Sequence, residues 1–222
     1  MIRLVRLTAF TIAAIGIILI AGQIATRAAG VLNVTPAAAI LDVESCPQPC
    51  WNGIQPGKTS LIDAKVLLGR RPNVTFPPPP TRSTPFLEFS VQPEPLWLGR
   101  AYRWSSTPLT GPLNYVELKP PPGALLLGEA IQLFGEPVAA TLCLDFDRIN
   151  PTLQPPFMDA HLHFRNNIEV KAYHPLAPRA QRYDPQMVVW LVRYNYPGLE
   201  PPYRFDTPRW GGFGAQRSDQ AC

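Results

Sequence analysis

Pro56-Gly57-Lys58-Thr59-Ser60-Leu61-Ile62-Asp63-Ala64-Lys65-Val66-Leu67-Leu68-Gly69 sets the expected architecture, because the chain carries a version of it twice. It returns as Pro122-Gly123-Ala124-Leu125-Leu126-Leu127-Gly128-Glu129-Ala130-Ile131-Gln132-Leu133-Phe134-Gly135. Without a gap the copies share Pro-Gly, Ala64/Ala130, Leu67/Leu133 and Gly69/Gly135, with Asp63/Glu129 and Leu68/Phe134 as conservative matches. Each copy reads as a turn, one short helix and a glycine stop. In the first, Ser60 and Asp63 have the spacing of a capping box, and Gly69 suits the position just past the helix. In the second, Leu125–Phe134 is helical and Gly135-Glu136-Pro137 ends it, since proline bars continuation.

Strand-like sequence follows each helix. Phe86–Gln92 alternates Leu87, Phe89 and Val91 against Glu88, Ser90 and Gln92, the period-two signature of a half-buried strand. Ala101–Ser106, Leu113–Leu118, Val138–Phe146, Ala160–Phe164, Ile168–His174 and Met187–Tyr196 read the same way. Arg165-Asn166-Asn167 supplies a tight hairpin, because Asn tolerates positive φ. The expected fold is therefore α+β: an N-terminal transmembrane helix followed by two tandem helix-plus-antiparallel-sheet repeats. Residues 46–120 form the first repeat, 121–200 the second and 201–222 an extended C-terminal tail.

At the N-terminus, Arg3 and Arg6 precede Leu7–Thr26, which carries no charge and is about long enough to cross a bilayer core of roughly 30 Å. The arginines would hold the N-terminus in the cytoplasm and place the body of the chain outside. Two readings stand for residues 1–26: an uncleaved anchor, which the length favours, or a signal peptide cut near Ala28-Ala29-Gly30. Either way the body is exported, with residues 27–45 as a linker. The formal charge of +4 is spread without a Lys/Arg run beyond pairs, which argues against a nucleic-acid partner. The 28 prolines call for long loops and extended arms rather than a helix bundle.

In an oxidising compartment, Cys46-Pro47-Gln48-Pro49-Cys50 reads as a local Cys46–Cys50 disulfide. That leaves a second bridge, Cys143–Cys222. Alternation puts Cys143 with Asp145 on the face opposite Leu142, Leu144 and Phe146, where a returning tail could reach it. Four cysteines allow three pairings, and spacing does not choose among them.

Chemistry-bearing motifs are few. Gly53-Ile54-Gln55-Pro56-Gly57-Lys58-Thr59 resembles a phosphate loop, but three residues separate its glycines where four are needed, and the second copy drops the lysine. No cofactor is expected. His161 and His163 would face Asp145 and Asp147 if their strands paired about residue 154, which makes these four candidate metal ligands; a solvated or partner-facing surface is the more ordinary reading. No nucleophile–base motif is present, and no enzyme is expected. In the tail, Tyr203, Arg204, Phe205, Arg209 and Trp210 are the residue types that anchor interfaces. They either grip a partner or wrap the chain's own sheet.

Gly57-Lys58-Thr59 with Asp63-Ala64-Lys65-Val66-Leu67-Leu68-Gly69, and Leu133-Phe134-Gly135-Glu136-Pro137 leading into a strand, resemble the SmpA/OmlA (BamE-type) domains. The doubling is similar to the tandem arrangement of the β-lactamase inhibitor protein. The resemblance implies a noncatalytic, extracytoplasmic interaction or scaffold subunit of a bacterial envelope complex. Its partners would be other envelope or membrane proteins, with the lipid bilayer engaged through residues 7–26. A secreted small-ligand- or inhibitor-type binding module is the alternative.

Overall fold

Both Pro-Gly dipeptides end in the left-handed region that glycine tolerates best, with Gly57 at φ 85° and Gly123 at φ 79°. At Gly57 a Cβ would also run into the ring of Tyr196, so the turn there is specified twice over. The computed structural model describes residues 36–41, 46–78, 85–92, 95–103, 111–145, 157–174, 182–198 and 209–215. The chain divides into two units, Met1–Ala39 and Ile40–Cys222. Of the first, residues 36–39 are described, as the opening of helix α1 (Pro36–Leu41); all the other described residues belong to the second.

Helix α2 (Leu61–Gly69) begins from Ser60, whose Oγ accepts from the Asp63 amide at 3.1 Å and donates to Asp63 Oδ2 at 2.7 Å. Helix α3 (Leu127–Phe134) begins from the aligned Leu126, which has no side-chain oxygen. There Glu129 Oε2 accepts from the Leu126 amide at 2.8 Å, half of a capping box. Gly135 stops α3 at φ 83°, as expected, whereas Gly69 is the last helical residue and Arg70 is the cap. Ala64 and Ala130 are both fully buried.

After α2 come β1 (Val74–Thr75), β2 (Phe86–Val91), β3 (Trp97–Tyr102) and β4 (Tyr115–Lys119). After α3 come β5 (Ala139–Asp145), β6 (Phe157–His163), β7 (Ile168–Tyr173), β8 (Arg182–Tyr183), β9 (Val188–Asn195) and β10 (Gly214–Ala215). Eight strands make one antiparallel sheet in the order β1-β2-β3-β4-β9-β7-β6-β5, and β8 pairs with β10 as a separate ribbon. Each half starts at an outer edge and meanders inward, and the halves meet where β4 pairs with β9. Each helix start is clipped to the chain at the innermost strand of its half, β4 or β9. Leu113, just before β4, donates its amide to Thr59 O at 2.8 Å, and Val189 donates to the aligned Leu125 O at 3.0 Å.

One face of the sheet is the core. The row Phe89–Gly99–Leu118–Val192–Val170–Leu162–Ala140 crosses from β2 to β5, and every member is buried. The helices pack here: Phe134 of α3 meets Phe164 and Tyr194 edge-on, at centroid distances of 5.6 and 6.3 Å. The ring of Phe89 lies over Gly99 and stacks on Trp51 at 5.2 Å. Trp51 sits at the base of a two-residue Asn52-Gly53 turn, whose φ values of 51° and 82° fit the hairpin type that suits Asn-Gly. Its Nε1 donates to Ile40 O at 2.8 Å, and Tyr194 OH donates to Leu41 O at 3.0 Å. These two buried bonds tie Ile40 and Leu41 to the core.

This architecture corrects the expected transmembrane helix followed by two tandem helix-plus-sheet repeats. The strands of both halves form one continuous sheet, because two separate sheets would leave β4 and β9 as edges with unpaired amides and carbonyls. No helix among the described residues is long and apolar enough to cross a membrane, and residues 7–26 lie outside the described residues. Most strands fall close to their expected positions. The two-residue strands β1, β8 and β10 are not among those expected, β6 starts at Phe157 rather than Ala160, and β3, expected at Ala101–Ser106, starts at Trp97. Glycine is disfavoured inside strands, and Gly99 misleads the reading because its missing side chain is the space that Phe89 fills.

Candidate functional site: a charged row and its open end

The neighbouring row of the sheet points away from the core and is ionic. Glu88, Arg100, Glu117, Arg193, Glu169 and His163 stand opposite one another in register on β2, β3, β4, β9, β7 and β6. Each is on the outward phase of its strand, so acid and base alternate across the sheet. Arg100 Nη2 donates to Glu88 Oε1 at 2.7 Å, and its Nη1 is 4.0 Å from Glu117 Oε1. Arg193 donates from Nη2 to Glu117 Oε2 at 3.1 Å and from Nη1 to Glu169 Oε2 at 3.2 Å. One guanidinium thus joins a carboxylate from each half of the chain, a task suited to arginine's planar fork.

Burial makes this junction matter. Glu117 and Glu169 are buried, at 5% and 3% exposure, and a buried carboxylate needs its partners. Burial alone would raise the pKa of Glu169, but Arg193, Lys171, His163 and His161 together hold its carboxyl below the ordinary value of 4.5. The Lys171 ammonium is 3.5 Å from Glu169 and lies over the ring of Trp190. The pKa of His163 is also lowered, below 6.5: burial pulls it down most, Glu169 pulls it back up and Lys171 adds to the fall. Tyr115 stacks on Tyr102 across the strands and receives Arg193 on its face at 4.7 Å. Burial and then Glu117 raise its phenol's pKa, so it stays protonated.

The row is open at its β2–β4 end. There a groove of about 380 Å³ lies over Glu88, Arg100, Glu117 and Lys119, with Phe76, Pro77 and Leu98 as its apolar surfaces. Leu98 is 58% exposed. Thr75 and Ser90 close the outer side, their hydroxyls bonded to each other at 2.8 Å.

The residues singled out from sequence fall elsewhere. The Cys46–Cys50 disulfide is present, with the Cα atoms 5.8 Å apart. Cys143 pairs through its backbone with Asp159, while Cys222, and with it the expected Cys143–Cys222 bridge, lies outside the described residues. The metal hypothesis needed Asp145 opposite His163. Instead Asp145 faces Phe157, His163 faces Ala139 and His161 faces Thr141, so Asp145 stands opposite neither histidine; Asp147 lies outside the described residues. Among those residues no cluster of three or more His, Cys, Asp or Glu could hold a metal. Of the tail candidates, Tyr203, Arg204 and Phe205 lie outside the described residues and Arg209 is exposed. Trp210 packs edge-on against Tyr183 at 4.9 Å and against Phe213 at 5.5 Å, so this part of the tail folds onto its own chain.

Sequence reasoning missed the charged row entirely. Alternation marked Glu88 as outward-facing, but nothing local links Glu117 to Arg193. Comparison with known protein families, with curated proteins and with solved structures finds no match, so the chain's own geometry must carry its functional reading.

Proposed function

We propose that this chain is a noncatalytic, extracytoplasmic protein-interaction module of a bacterial envelope complex, which meets its partner through the charged face of the sheet. The observation that carries this reading is the division of labour between the two faces. Helix α3 packs on the apolar face, while the other face carries Arg100 in an open groove and, beside it, Arg193 with the stacked Tyr102 and Tyr115. Arginine and tyrosine are the side chains most often found at the energetic centre of protein interfaces. The row is held rigid by its own ion pairs, so little side-chain freedom is lost on docking. The Cys46–Cys50 bridge suits an oxidising compartment, and the resemblance to SmpA/OmlA domains points the same way.

The test is photo-crosslinking in native membranes, with a photoreactive phenylalanine analogue at the position of Tyr102 and, separately, at the position of the exposed Val66 on α2. One stoichiometric partner captured from position 102 and not from position 66 is expected. Capture from the helix side alone, or from neither position, would sink the proposal.

A further inference from the structure

The groove over β2–β4 has a chemistry of its own, apart from the protein-binding reading. We infer that it binds a small amphipathic monoanion, a compact apolar or aromatic body carrying one carboxylate.

Most charges in the groove are already engaged. Glu88 is held by Arg100 at 2.7 Å, and Glu117 by Arg193 at 3.1 Å. Lys119, by contrast, lines the groove and has no ion pair among the described residues. The uncommitted charge is therefore positive. A cationic ligand would meet Lys119 and find both carboxylates occupied; a carboxylate would complete the ammonium with a charge-assisted hydrogen bond.

The body of the ligand is set by what lies beside that lysine. Lys119 stands directly opposite Leu98, and Leu98 directly opposite Ser90. An occupant reaching from the ammonium towards the outer wall therefore crosses two interstrand steps, about 9.5 Å, over an exposed leucine with Phe76 and Pro77 to the side. The volume of about 380 Å³ falls at the small end of ligand sites, roughly 300–1,000 Å³. Thr75 and Ser90 use one hydroxyl hydrogen in their mutual bond, which leaves the other to orient a polar group at the far end.

The experiment is isothermal titration calorimetry of the full chain with 3-phenylpropanoate, 3-phenylpropanol and 3-phenylpropylamine, one body with three heads. The carboxylate should bind most tightly. Lys119→Gln should weaken it about tenfold, the loss of one charged hydrogen bond, and leave the alcohol unchanged. Leu98→Asp should abolish binding of the carboxylate, while an unchanged thermal melt shows that both variants remain folded. Equal binding of the alcohol or amine, indifference to Lys119→Gln, or no carboxylate binding up to about 10 mM (an affinity too weak to matter) would each overturn the assignment.

Discussion

Arg193 shows how one side chain can hold two distant stretches of chain. It gives one nitrogen to Glu117 and another to Glu169, and it is only 25% exposed at the side chain. Arg193→Leu would leave two buried carboxylates on either side of β9 without their shared partner, with Lys171 at 3.5 Å from Glu169 and Arg100 at 4.0 Å from Glu117. Removing one partner of a buried pair costs about 3–5 kcal/mol, and the partial exposure of Arg193 puts the expected loss at the lower end. A urea titration reads this directly, and Arg193→Lys should recover only part of it because an ammonium cannot fork to both acids.

The acids and the histidine of the same row predict a pH dependence. His163 has a folded pKa below 6.5, so the folded state binds fewer protons than the unfolded one as pH falls through that window. Its contribution is complete above about pH 6.5 and is lost on acidification. Glu169 is also depressed, and its contribution is complete above 4.5 and lost below it. Stability should therefore fall in two stages on going from about pH 8 to about pH 3. His163→Gln should remove the first stage and keep the second, as measured by denaturant midpoints across the range. A flat profile above about pH 5 in the parent protein would contradict the effect of burial on His163.

At the scale of the element, the two helices are built on aligned positions but started differently. Ser60 caps α2 with its own oxygen, while α3 relies on Glu129 reaching back. Ser60→Ala should cost about 1 kcal/mol, while Leu126→Ala, with no cap to lose, should cost only its packing; thermal melts of the two variants separate these. Helices and turns of this kind are legible in sequence because their signals are local: a capping pair, a proline after a glycine, an Asn at positive φ. Strand positions are legible where apolar and polar residues alternate, as in β2, and fail where a packing partner dictates a glycine, as in β3. Register is not legible at all. Placing Asp145 opposite Phe157 rather than His163 requires knowing how residues 146–156 connect β5 to β6, and no periodicity records that.

On the scale of the whole molecule, the doubled sequence is visible from the start, yet it does not reveal that the two sets of strands share a single sheet. What joins them is a pairing between strands far apart in sequence, Glu117 on β4 and Arg193 on β9, separated by 76 residues. Within each half, successive strands pair with near neighbours in the chain, as β2 does with β3 and β6 with β7. Contacts of short sequence separation close early and those of long separation late. The β4–β9 junction is thus a late event, and its chemistry governs duration more than assembly. Arg193→Leu should accelerate unfolding while leaving the refolding rate nearly unchanged, visible as a shift of one limb of the denaturant–rate plot. Arg193 is a clasp: fastened after both halves have taken shape, it sets how long the folded molecule lasts.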